Sequence, residues 1–134
     1  MKLINPRIHG LLDYLVILTF LLAPSIFHFS RTPTVICYTL APIHATMTLL
    51  TAFPMGVVDL IPFKVHGVIE LLVSLSLLAI PWVFGFGDQP VERAFFVAAG
   101  VTIFAVWGLT TYASEGHVAG SGRVHAPHLS ERHA

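Results

Sequence analysis

Four runs of about twenty residues, nearly free of charge, dominate this chain, and each is long enough to cross the roughly 30 Å hydrocarbon core of a bilayer. They cover residues 8–27, 34–53, 65–84 and 93–112, with turn-forming stretches at 30–33, 54–62 and 85–90 between them. In lipid, every backbone amide must find its partner within the segment or in a closed barrel. The runs lack the apolar–polar alternation of a barrel strand, so they are expected to be helices. A soluble domain carries about 25% charged residues. Here the figure is 10%, with 55% apolar residues and a mean hydropathy of +0.80, so the bilayer is the solvent that suits the chain.

The expected fold class is therefore an all-α membrane protein with four transmembrane helices in residues 1–112 and a polar, flexible cytoplasmic tail in 113–134. Lys2, Arg7, Lys64, Arg123 and Arg132 fall on one side of this arrangement, and Arg31 and Arg93 on the other. By the excess of positive charge on cytoplasmic loops, both termini are expected in the cytoplasm, with the chain in a bacterial inner membrane. The apolar stretch near the N-terminus runs on through Phe27 and Phe29 without an A-x-A pattern, and reads as a retained span rather than a cleaved signal. No basic cluster is present to follow a phosphate backbone, so no nucleic-acid partner is expected. The single cysteine, Cys37, sits in an apolar run and reads as a small buried hydrophobe.

The chain also repeats itself. Shifted by 57 residues, positions 3–29 fall on 60–86 with 11 identities in 27. The polar matches persuade most: His9-Gly10 falls on His66-Gly67, Asp13 on Glu70, and Arg7 on Lys64, while Pro24 falls on Pro81. An offset that contains two spans preserves orientation. Hairpins of about 3–56 and 60–113 are thus expected to be parallel repeats about a pseudo-twofold axis along the membrane normal. At the same offset the counterpart of His44 is Val101.

The segment Ile80-Pro81-Trp82-Val83-Phe84-Gly85-Phe86, with Ala23-Pro24-Ser25-Ile26-Phe27 in the first hairpin, resembles the SPW-repeat family of bacterial membrane proteins. That family's hairpins end their first span in a Ser-Pro-Trp-like motif, and the second hairpin here is the closer match. The resemblance implies a two-hairpin fold and no particular activity. On physical grounds Pro24, Pro81 and Trp82 are expected to end the helices and anchor them at the interface.

Ionisable residues inside a span are costly and mark candidate sites. His9 and Asp13 lie four apart on one helix face, and His66 and Glu70 repeat the pair. If the two faces meet at the axis, the four groups could bind a divalent metal such as zinc, manganese or iron, pass protons, or sit in structural contacts with Arg7 and Lys64. Gly10 and Gly67 are expected to let helices approach at this level. His44, in mid-span among Thr39, Thr46 and Thr48, is the candidate haem ligand, with a symmetry mate in a homodimer supplying a second. Otherwise it is a neutral histidine bonded to a threonine or a carbonyl. The tail histidines His117, His125, His128 and His133 read as a solvated set. Ala41 and Ala45, and Ala94 and Ala98, form small-residue faces for the bundle or for an oligomer contact.

No nucleotide loop, nucleophile turn or mid-span lysine is visible, and no enzymatic activity is expected. The leading expectation is a structural or accessory membrane protein that self-associates or joins a larger membrane complex. A metal- or haem-binding protein is the first alternative, and a proton or ion channel or transporter the weaker one.

Overall fold

The computed structural model describes residues 3–112, so the tail and its four histidines lie outside the described residues. Four helices form: α1 (Pro6–Ile26), α2 (Arg31–Leu49), α3 (Phe63–Val83) and α4 (Pro90–Leu109). Between α2 and α3 lie two short strands, β1 (Thr51–Ala52) and β2 (Ile61–Pro62), paired in parallel. The helices α1, α3 and α4 are long and apolar enough to cross a membrane. Each has 20 or 21 residues, which at 1.5 Å per residue is about 30 Å. The 19-residue α2 is less apolar, diluted by Thr32, Thr34, Thr39, His44, Thr46 and Thr48.

Local chemistry sets the helix ends. Asn5 caps α1, its side-chain oxygen accepting from the amides of Arg7 and Ile8 at 3.0 Å, and Pro6 fills the first helical position. At the far end of α1 and α3 the same device appears twice. Pro24 and Pro81 stand two residues before the end, and His28 (φ 53°) and Gly85 (φ 73°) turn the chain in the left-handed conformation. The amides of Phe29 and Phe86 then reach back to the carbonyls of Pro24 (3.0 Å) and Pro81 (2.8 Å), satisfying helix-end acceptors. Trp82 is exposed, its indole against Gly87.

Helix packing is heaviest within the pairs α1–α2 and α3–α4. A shared core of Phe20, Cys37, Ala41, Leu77, Phe96 and Ile103 joins the two pairs. Leu11, Leu15, Leu18 and Leu22 stand exposed along α1, a face whose natural surroundings are acyl chains. Ala41 packs in the core, but Ala94 and Ala98 are exposed, and the small residue that admits a neighbour in α4 is Gly100. A Cβ there would lie 2.9 Å from Leu78 Cδ2 and from the carbonyl oxygen of Ser74.

Three details of the sequence reading change. The first is where the last helix stops. It ends at Leu109 rather than Tyr112, and Thr110 continues extended to pair in parallel with Ile4. Second, α2 stops at Leu49, short of the expected span 34–53, and Thr51–Ala52 pairs as β1 with β2 at the end of the 54–62 stretch, with Thr51 facing Ile61. Third, burial does not support Val101 as the counterpart of His44. The turn between α3 and α4 is two residues longer than that between α1 and α2. The buried positions of α2 and α4 therefore correspond at an offset of 59: Cys37 with Phe96, Ala41 with Gly100, and the half-buried His44 with Ile103. Val101 is exposed.

Candidate metal centre

The four-residue spacing brings His9 and Asp13 to the inner face of α1, and His66 and Glu70 to the inner face of α3. Both histidines are wholly buried and both acids are 2% exposed. The two pairs meet. His9 Nε2 lies 3.5 Å from Asp13 Oδ1 and 3.3 Å from Glu70 Oε2. His66 Nε2 lies 3.5 Å from Asp13 Oδ2 and 3.9 Å from Glu70 Oε1. One ligand atom from each of the four residues falls within 4.8 Å of the others, so the group could hold a metal ion.

The imidazole orientations follow from two threonines that the spacing of the chain did not point to. Thr51 donates its hydroxyl proton to the carbonyl of Met47 at 2.6 Å, and Thr110 donates to that of Val106 at 2.6 Å. A hydroxyl has one proton, so each oxygen is left as an acceptor toward the histidine beside it. His66 Nδ1–H therefore donates to Thr51 Oγ1 (2.8 Å) and His9 Nδ1–H to Thr110 Oγ1 (2.9 Å). This fixes the proton on Nδ1 and turns the Nε2 lone pair of each ring toward the carboxylates. Among the described residues neither Nε2 has a hydrogen-bond partner, nor has Asp13 Oδ2. Glu70 Oε2 accepts from the Tyr112 hydroxyl at 2.9 Å.

His44 joins this group instead of standing apart at mid-span. Its Nε2 is 3.7 Å from Asp13 Oδ1, is buried, and has no hydrogen-bond partner among the described residues. The nearby threonines do not hold it, since Thr39 and Thr46 bond to the carbonyls of Val35 and Pro42 on their own helix. Arg7 and Lys64 do not reach the acids. Among the described residues, Asp13 and Glu70 have only histidines as ion-pair partners.

Aromatic rings close the end of the site beyond His9 and His66. Phe53 and Phe63 stack at 5.4 Å, and the His9 ring stands edge-on to Phe63 at 5.1 Å and to Tyr112 at 5.7 Å. Gly10 and Gly67 serve this closure rather than a helix crossing. A Cβ on Gly10 would strike Phe53 and Met55, and one on Gly67 would lie 2.5 Å from Tyr112 Cε1. Gly67→Ala is thus expected to expel Tyr112 and destabilise the protein by about 1–3 kcal/mol, the usual cost of overpacking. A chemical-unfolding midpoint in detergent checks it, and an unchanged midpoint would mean that the ring yields freely.

Thr51, Phe53, Thr110 and Tyr112 were not singled out as site residues from the sequence. The signal that would have found them is the 59-residue offset of the second helices, which pairs Thr51 with Thr110 and Phe53 with Tyr112. Comparison with family models, with curated proteins and with solved structures brings no match.

Proposed function

We propose that this chain is an integral membrane protein of two helical hairpins that clamp one divalent transition-metal ion between them. One observation carries the reading. Two buried imidazoles present Nε2 atoms, unpartnered among the described residues, to two buried carboxylates that no described lysine or arginine neutralises. Leaving two such acids ionised in a low-dielectric interior costs several kcal/mol each. A dication cancels both charges and gives each lone pair an acceptor. The distances agree: donors about 2.1 Å from one ion lie about 3.0 Å apart at right angles and about 3.4 Å apart in a tetrahedron. The nitrogen and oxygen donor set suits zinc, iron or manganese.

Repetition of the site supports the two-hairpin, pseudo-twofold arrangement with four spans. Each half supplies one His-x-x-x-acid pair from its first helix, and the end of each second helix supplies the threonine that pins the other half's histidine. Arg7 and Lys64 flank the site end, which supports a cytoplasmic position for that end in a bacterial inner membrane. A structural or accessory role without catalysis fits an ion that ties two separately packed hairpins together, and the exposed Ala94–Ala98 face offers surface for self-association. A bare ion is favoured over haem, because the cavity beside His44 measures only about 50 Å³ and the facing donors are carboxylates. A proton or ion path gains no support, since that cavity is walled by Val16, Ile69, Val73 and Leu77.

The test is elemental analysis of detergent-purified protein after loading with zinc, manganese or ferrous ion and removal of the excess. One ion per chain is expected, and none in the His9→Ala, His66→Ala double variant. Wild-type protein that retains no metal would end this reading, and an absorption spectrum with an intense reducible haem band would replace it.

A further inference from the structure

His9 and His66 are locked, each by a threonine on its far nitrogen, and His44 is not. It has no hydrogen bond among the described residues, yet its buried Nε2 points at Asp13 Oδ1 from 3.7 Å. Its ring stands 6.2 Å from that of His66, and it approaches the cluster from α2. It also lines a cavity of about 50 Å³ with Ala41, Met47, Ile69, Val73 and Leu77. Free volume on one side and a carboxylate on the other leave the ring room to swing about its side-chain bonds.

We propose that His44 is the third nitrogen ligand of the metal, an adjustable one that closes onto the ion held by His9, Asp13, His66 and Glu70. The proposal rests on the metal reading above and adds to it the coordination number and the identity of the labile ligand. Four monodentate donors complete a tetrahedron, the arrangement zinc accepts most readily. A fifth donor from His44 raises the number to five and leaves one exchangeable position in an octahedron, which suits iron, manganese or cobalt. The residue also breaks the repeat. Its counterpart by burial is the apolar Ile103, so only one hairpin supplies a third imidazole.

The experiment uses cobalt(II) as probe, titrated into full-length, metal-free protein in detergent and followed by its visible d–d absorption, which strengthens as coordination number falls. Wild type is expected to give a band of five-coordinate intensity. His44→Ala is expected to bind cobalt about 10–100-fold more weakly, at least the loss usual for a supporting residue. Its band should be more intense and four-coordinate, and free imidazole, filling the enlarged cavity, should restore the wild-type band. His44→Gln serves the same comparison should the alanine variant fail to fold. Identical cobalt affinity and spectrum in the variants and wild type would overturn the ligand role of His44 and leave the four-residue site standing. No cobalt band in wild type would overturn both.

Discussion

Saturating metal is expected to raise the unfolding free energy by about 2.7 kcal/mol at one hundred times the dissociation constant and by about 4.1 kcal/mol at one thousand times. The gain arises because the ion binds the folded arrangement alone. The four proposed ligands come from α1 and α3, which bring their donors together only when the helix pairs α1–α2 and α3–α4 are docked. Without the ion, the docked state must bury two carboxylates face to face with no lysine or arginine beside them among the described residues. With it, the same groups would tie α1 to α3 through the metal. The pH dependence has a definite sign. Histidine must be neutral to ligate, and its ordinary pKa is about 6.5. The metal-linked gain is therefore present at and above neutral pH and is lost as pH falls, when protons displace the ion from imidazole and carboxylate alike. Thermal or denaturant unfolding in detergent, with and without metal at two pH values, measures it. The His9→Ala, His66→Ala double variant should show no gain at either pH. A wild-type transition that does not move between trace and millimolar metal would sink the clamp.

How much of this was readable from the chain depends on which physical rule governed each part. The apolar runs that became α1 and α3 were legible almost to the residue, because a run with a single acid among about twenty mostly apolar residues has no other way to satisfy its backbone in lipid. The end of α4 was not. Thr110, Thr111 and Tyr112 carry no charge, glycine or proline to mark a stop, and it is the pairing of Thr110 with Ile4, a contact distant in sequence, that turns them out of the helix. The inner face was legible for the same reason as the helices, since His9, Asp13, His66 and Glu70 recur at helical spacing at one offset. His44 was visible as an anomaly, but its place was hidden. Depth along a helix can be read from sequence, whereas rotation about its axis depends on packing against neighbours. The two-residue difference between the hairpin turns hid Thr51 and Thr110, since a single offset of 57 cannot align both helices of the repeat.

Those two threonines carry the sharpest expectation about how the site is built. Thr51→Val and Thr110→Val each keep the shape of the side chain and remove the oxygen that holds a histidine Nδ1–H. Losing such a supporting group costs about 10–100-fold in metal affinity. The two act on different imidazoles, so their effects should combine to about 10²–10⁴-fold in the double variant, provided the rings do not share the loss. Stability alone does not account for such a change. Each hydroxyl also bonds a carbonyl of its own helix, and losing a hydrogen bond of that kind costs about 1 kcal/mol whether or not metal is present. Thr46→Val supplies the control, because that hydroxyl bonds only to the Pro42 carbonyl, on the exposed side of α2. Thr51→Ser and Thr110→Ser keep the oxygen and should keep the affinity. Competition against a chelator of known strength reads all six variants. Valine variants that hold metal as tightly as wild type would mean that aromatic packing around His9 and His66, rather than the threonine hydroxyls, aims the lone pairs at the ion.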